Sequence, residues 1–252
     1  MNKKMIQLAA VMMLAIAITA CKPKEDDDTT TIAALAFFVD QTSGNCAQVL
    51  KVNATTYIAT LSAVPKGGCN QATLIGSDLA SYKVIQTANS DAVSALSASL
   101  NCSAATNNAI ANSKNNILAT TQATFDALVA GFKPFPISDL RVEALGVLSA
   151  TNSQLTLLGF SPAEILALKV LTLEQTKLAS ATQSLGLLAA GAGDVACVTA
   201  ITNNNKTAFA GFLGLDSTAT TKATITGISS AICPYGSAAP AATKCTTLNT
   251  EF

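Results

Sequence analysis

Apolar residues along most of the chain recur every three or four positions, the spacing that gathers them on one face of an α-helix. Ile32, Leu35, Ala36 and Val39 form a first stripe, with Thr30 or Thr31 as its cap. Cys46, Val49, Leu50, Tyr57, Ile58, Leu61 and Val64 form a second stripe that Pro65 closes, although the β-branched Val52, Thr55, Thr56 and Ile58 within it suit a hairpin as well. Leu79, Tyr82, Ile85, Val93, Leu96 and Leu100 predict a helix or a broken pair restarting at Ser90-Asp91. Ser103 caps a segment that reaches Phe132 and ends at Pro134, and Ser138 opens one that Gly159 closes. The sharpest start is Ser161-Pro162-Ala163-Glu164, which supplies an N-cap, a proline at the first helical position and a glutamate reaching back to the cap. That helix is expected to pass through Ile165, Leu168, Leu171, Leu178 and Leu185 and stop at Gly191-Ala192-Gly193. Asp194 caps a stretch bearing Val195, Val198, Ile201, Phe209, Phe212 and Leu213, and Asp216 or Ser217 caps the last, with Ile225, Ile228 and Ile232. The expected fold class is all-α, a helical bundle of about six to eight helices forming a single domain over residues 32–235. Two prolines break it at 133–137, and 236–252 reads as an irregular tail.

The leader has its own pattern. Lys3 and Lys4 precede an apolar run over 5–18 interrupted only by Gln7, and small residues then lead to Cys21. This is the layout of a secretory signal peptide. The run falls short of the roughly 20 apolar residues of a membrane-spanning helix, and Lys22, Pro23, Lys24 and an acidic cluster cut it off. Its ending, Ile18-Thr19-Ala20-Cys21, resembles the lipobox of bacterial lipoproteins. The resemblance implies that residues 1–20 are removed, that the Cys21 thiol carries a diacylglycerol, and that the new amino terminus is acylated. Several acyl chains at about 0.8 kcal/mol per buried CH₂ would hold the chain on a membrane with no spanning segment. Residues 21–31, with Glu25, Asp26, Asp27, Asp28 and three threonines, read as a tether reaching some 30 Å. Acidic residues directly after the lipid-bearing cysteine loosely resemble the export regions of spirochaetal outer-membrane lipoproteins. The implied location is the cell envelope, in the outer membrane, facing either the surface or the periplasm.

Cysteine usage points to the same compartment. With Cys21 set aside for lipid, Cys46, Cys69, Cys102, Cys197, Cys233 and Cys245 remain, an even set that can form up to three disulfides. No CxxC spacing occurs and the chain has no His, so no metal site is expected. Three of these cysteines precede the proline break and three follow it, so full pairing forces at least one bridge across it. If 46–64 is a single helix, about 30 Å separates Cys46 from the approach to Cys69 and forbids their union. An up-and-down bundle then favours Cys46–Cys102, Cys69–Cys197 and Cys233–Cys245.

Composition narrows the function. Lys+Arg and Asp+Glu are equal at 15 each and only 12% of residues are charged, which gives no basic footprint for nucleic acid. The lack of His removes the usual general base and every Ser-His or HExxH mechanism. Gly191-Ala192-Gly193-Asp194-Val195-Ala196 fits GxGxxA, but helical residues precede it where a dinucleotide site needs a strand, so it reads as a turn. Asp91, Asp139, Asp194 and Asp216 are expected near helix starts, and the Asp139/Glu143 pair, with Arg141 beside it, reads as an exposed first turn. Asp40-Gln41-Thr42-Ser43-Gly44-Asn45 has Lys51 where a calcium loop needs Glu and reads as a turn, and Phe37-Phe38 reads as packing of the first helix. The expected protein is a non-enzymatic, lipid-anchored envelope protein without a cofactor, attached to the membrane through Cys21 and binding an unknown protein or host macromolecule. The alternative is a periplasm-facing structural or assembly lipoprotein, or one that binds a small apolar ligand.

Overall fold

In a computed structural model, which describes residues 43–52, 57–137, 139–145, 155–229 and 231–235, the ambiguous second stripe is a β-hairpin. Strand β1 (Ser43–Lys51) pairs antiparallel with β2 (Tyr57–Pro65), with Cys46 opposite Ser62, Ala47 opposite Leu61, Val49 opposite Ala59 and Leu50 opposite Ile58. Period-two alternation sends Ala47, Val49, Ala59 and Leu61 to one face, where all four are fully buried. Gln48, Leu50, Ile58, Thr60 and Ser62 take the other face. β3 (Phe132–Ile137) adds to β1, with Gln48 opposite Pro134 and Cys46 opposite Pro136. β7 (Ala231–Tyr235) adds to β2, with Ile58 opposite Pro234, and the four-stranded order is β3-β1-β2-β7.

The chain is therefore mixed α/β, and the all-α expectation is wrong. The prolines misled it: 133–137 is an edge strand rather than a break, and Cys233-Pro234 lies inside the other edge strand rather than after a helix. Proline is tolerated at a sheet edge because its missing N–H can face away from the neighbouring strand. The expected last helix is also absent: residues 217–229 are turns and the short β6 (Gly227–Ile228). β6 lies between β4 (Lys169–Val170) and β5 (Phe212–Leu213) in a parallel three-stranded sheet.

The helices follow their caps closely. They are α1 (Gln71–Leu74), α2 (Leu79–Ser99), α3 (Ala104–Leu118), α4 (Gln122–Ala130), α5 (Leu140–Leu145), α6 (Pro162–Ala167), α7 (Leu173–Gly191) and α8 (Val195–Ala208). Ser103, Ser161 and Asp194 cap α3, α6 and α8 as their positions predict. Asp91 does not start a helix; α2 runs straight through it from a capping box at Asp78 and Ser81. The helix expected from 161 to 191 is two helices, because Thr172 and Gln175 form a second capping box after β4. Among the described residues no helix is long and apolar enough to cross a membrane. The leader, Cys21, the tether, Phe37-Phe38, the Ser138 cap, Cys245 and the tail lie outside the described residues.

Three apolar clusters hold these elements. The inner face of the hairpin packs on Leu140, Leu155, Phe160, Ile165, Leu168, Ile225 and Ile228. Val93, Ile110, Leu185, Ala189, Cys197 and Ile201 join α2, α3, α7 and α8. Leu171, Ala179, Phe209, Phe212 and Leu215 form the third.

Among the described residues two disulfides are present, Cys46–Cys69 and Cys102–Cys197, with Cα atoms 5.4 and 4.8 Å apart. The expected Cys46–Cys102 and Cys69–Cys197 pairs are thus exchanged. The error lay in the helix premise: a hairpin folds back on itself, so the chain leaving β2 passes close to the start of β1. Cys102–Cys197 joins residues on either side of 133–137, as parity required of some pair. Cys233 sits in β7 opposite Ala59.

The sequence separations are 23 residues for Cys46–Cys69 and 95 for Cys102–Cys197. Loop-closure entropy then makes the second bridge the stronger constraint on the unfolded chain, about 4 to 5 kcal/mol against about 3. Paired Cys→Ala replacement at 102 and 197 should lower the midpoint of chemical unfolding more than replacement at 46 and 69. Non-reducing peptide mapping should find each of these two bridges.

Candidate functional site: a cleft beside the hairpin

The outer face of the hairpin does not close against the helices. Between it, α2 and α7 lies a cleft of about 470 Å³. Strand alternation presents Gln48 and Ser62 to it, and α7 presents Thr176, Ser180 and Ser184 at four-residue spacing. An adjoining recess of about 210 Å³ shares Gln48, Ser62, Thr176 and Ser180 and adds Thr60 and Gln183. Another, of about 170 Å³, continues past Asn89, Val93 and Ser184. The apolar stripe of α7 marks its core face, and this polar stripe on the other side is a site feature that the apolar periodicity does not reveal. The signal was there in the recurrence of Thr176, Ser180, Gln183 and Ser184 at helical spacing.

The cleft is electrically neutral. Gln48 Nε2 donates to Ser62 Oγ at 3.1 Å, and Ala63, Val64, Ile85 and Ala92 supply apolar wall. Its charged member, Lys177, is exposed and paired with Glu174 one helical turn away at 2.8 Å. At the hairpin tip the same face continues as Leu50 and Ile58, with Val52 following Lys51, and all three are exposed.

The acidic residues singled out by sequence lie elsewhere, and most are clamps. The Oδ2 atom of buried Asp194 accepts hydrogen bonds from Ser103 N and Thr106 Oγ1, both at 2.7 Å, while Oδ1 accepts from Cys197 N at 3.0 Å. Hydrogen bonding by Ser103, then Thr106 and Cys197, holds its carboxyl far below the usual range. Cys102, Asp194 and Cys197 thus bring three atoms of metal-ligating kind, two sulfurs and a carboxylate oxygen, together. The two sulfurs are bonded to each other and the carboxylate is engaged, so this is a clasp between the starts of α3 and α8. Asp216 accepts from Gly211 N at 2.8 Å and from Thr218 N and Oγ1 at 2.8 and 2.7 Å, which lowers its carboxyl too, although it closes a loop rather than caps a helix. Burial would raise the Asp139 carboxyl, but hydrogen bonds from Arg141 outweigh it. Arg141 also donates through Nη1 to Leu168 O, so Asp139 braces an arginine. Asp91 pairs with Lys114 on α3. Gly191 to Gly193 turn α7 into α8, with Gly193 at φ +69°, as a helix–helix turn requires.

Glu164 shows the same logic on the surface. Lys222 Nζ donates to it at 2.8 Å and Ser161 N donates at 2.8 Å, and its carboxyl falls to about 2, chiefly through Lys222. Asp78, Asp139, Glu164, Asp194 and Asp216 are all stabilised as anions. General acid–base work at neutral pH asks for the opposite displacement. Comparison with known proteins finds no family model, no curated relative and no solved structure that matches the chain.

These depressed carboxyls fix the sign of the acid response. A group whose folded pKa lies below its unfolded value stabilises fully above the unfolded value, about 4 for these residues, and loses that contribution as pH falls through the folded one. Tm should be flat from neutrality to about pH 5 and fall between about pH 4.5 and 2. Asp194→Asn should lower Tm by several degrees at pH 7, and the gap to the parent should narrow at pH 3. A gap of constant size would show that the Asp194 charge plays no part.

Proposed function

We propose that this chain is a lipid-anchored protein of the bacterial cell envelope that holds a macromolecular partner along the outer face of its hairpin, without catalysis. The observation that carries the reading is the continuity of a neutral hydroxyl- and amide-lined cleft with the exposed Leu50 and Ile58 on the same face. An apolar anchor region bordered by adaptable polar groups is the composition of a partner surface. The anionic set of carboxylates, each already engaged in fixing a helix start, a loop or an arginine, favours binding over acid–base chemistry. Ile18-Thr19-Ala20-Cys21 supplies the anchor, and the acidic and threonine-rich stretch after it supplies the reach from the outer membrane.

Two measurements test the two halves of the proposal. Labelled fatty acid should enter the parent and be lost in Cys21→Ser; incorporation at parental level in the variant overturns the anchor. A photo-crosslinking residue at the exposed position 180 or 183, in intact cells, should give a discrete product that one at exposed Thr199 on α8 does not give. Ser180→Arg and Leu50→Asp should each cut that product at least about tenfold with far-UV circular dichroism unchanged. Equal products from 180 and 199 overturn the assignment of the face.

A further inference from the structure

A second, open-mouthed cavity, of about 560 Å³, is bordered by the Leu157-Leu158 segment, α8 and the loop after β5. Four leucines, Leu157, Leu158, Leu213 and Leu215, form its apolar walls, and Thr202, Asn205 and Asp216 bring polar groups to it. Leu157 is 85% exposed, the largest value among the exposed large apolar residues described. Isolated exposure of one leucine means little, but here the residue stands on the rim of a cavity lined by three more.

The loop is built rigidly around its carboxylate. Gly211 takes φ +79°, and a Cβ there would collide with the Thr226 side chain, so the tight turn requires glycine. The turn directs Gly211 N to Asp216 Oδ2, while Thr218 binds Oδ1 through both its N–H and its hydroxyl. Asp216 is 7% exposed and is in none of the ion pairs among the described residues. Lys206 acts on it through space, with its ammonium 3.5 Å from Asn203 Oδ1. A carboxylate offers about four lone-pair positions, so three donors leave it one in reserve.

Asn205 carries the second observation. Its Oδ1 is buried and has no hydrogen-bond partner, an unfavourable state that a donor entering the cavity would relieve. The terminal torsion of asparagine is soft, so a small rotation of the amide opens Oδ1 to the cavity it lines. The Thr202 hydroxyl has its proton committed to Val198 O at 2.9 Å, which leaves acceptor capacity alone on that side. Thr202 Oγ1, Asn205 Oδ1 and the Asp216 carboxylate thus offer acceptors to the cavity, the Ser217 and Thr220 hydroxyls on its wall can act either way, and Asp216 is a buried anion in none of the ion pairs among the described residues.

We infer that this cavity binds a primary ammonium group carrying an apolar chain, with the ammonium donating to Asn205 Oδ1 and the Asp216 carboxylate and the chain lying among the four leucines. An ammonium has three donors and no acceptor, which complements the polar set, and its charge is opposite to the one left unpaired. A neutral alcohol gains no charge attraction from Asp216, and a carboxylate is repelled by it. The site uses no residue of the hairpin cleft and does not depend on the lipid anchor, so it stands or falls apart from the proposed function.

The test is titration of the full-length chain, ¹³C-labelled at leucine methyls, with hexylammonium, hexanol and hexanoate at pH 7. Hexylammonium should shift the methyls of Leu157, Leu158, Leu213 and Leu215 and bind at least about tenfold tighter than hexanol, with no response to hexanoate. Asn205→Leu should weaken hexylammonium at least about tenfold, and Asn205→Asp, which adds a charge while keeping the acceptor, should tighten it. Ser180→Arg in the other cleft should leave it unchanged. Equal affinity for hexanol, no shift of these methyls, or indifference to both Asn205 variants overturns the inference.

Discussion

Close approach to α7 is the constraint on which the remaining packing depends. Ala179 enters the cluster with Phe209 and Phe212, while Leu185 and Ala189 enter the one with Val93, Ile110 and Ile201. Thr182 is buried between them and returns its hydroxyl proton to Leu178 O at 2.7 Å, so its burial leaves that donor satisfied. Small side chains on one helix let several neighbours reach it at contact distance, and a larger residue at Ala179 or Ala189 would force those neighbours away from α7. The polar stripe of Thr176, Ser180, Gln183 and Ser184 faces the hairpin without closing on it, which is why the cleft lies there.

The clasp around Asp194 plays a complementary part. Fixing the starts of α3 and α8 together takes one carboxylate with three donors and one disulfide, all within a few residues. These contacts join segments about ninety residues apart in sequence. Long-range order of this sort compensates for a chain with 5% aromatic residues and no Trp, where large side chains cannot weld distant segments.

Local signals in the sequence were legible where they act locally. Ser103, Ser161-Pro162-Ala163-Glu164, Asp194 and the Gly191–Gly193 turn declare helix ends through bonds made within a few residues, and the fold honours them. The hairpin was ambiguous because Cys46, Val49, Leu50, Tyr57 and Ile58 satisfy both periods, and only pairing with β3 and β7 decides between them. Pro134, Pro136 and Pro234 read as stops because the sequence alone does not say which strands are edges. That one uncertainty propagated into the disulfide pairing. The cavity beside Asn205 was illegible for a different reason: it joins residues near 157, 205 and 216, and nothing local marks them as neighbours.

Placing prolines on both outer strands has a consequence for how this molecule meets others. Pro134 and Pro136 have the same parity and cannot donate to β1, so their nitrogens point outward, and Pro234 presents the opposite edge in the same way. Neither margin of the sheet offers an unbroken ladder to an incoming strand. If the proposed lipid anchor crowds copies in two dimensions, an open margin would invite them to zip together laterally. Ring nitrogens at both margins disfavour such pairing and leave the outer face of the sheet, rather than its edges, as the part of it open to contact.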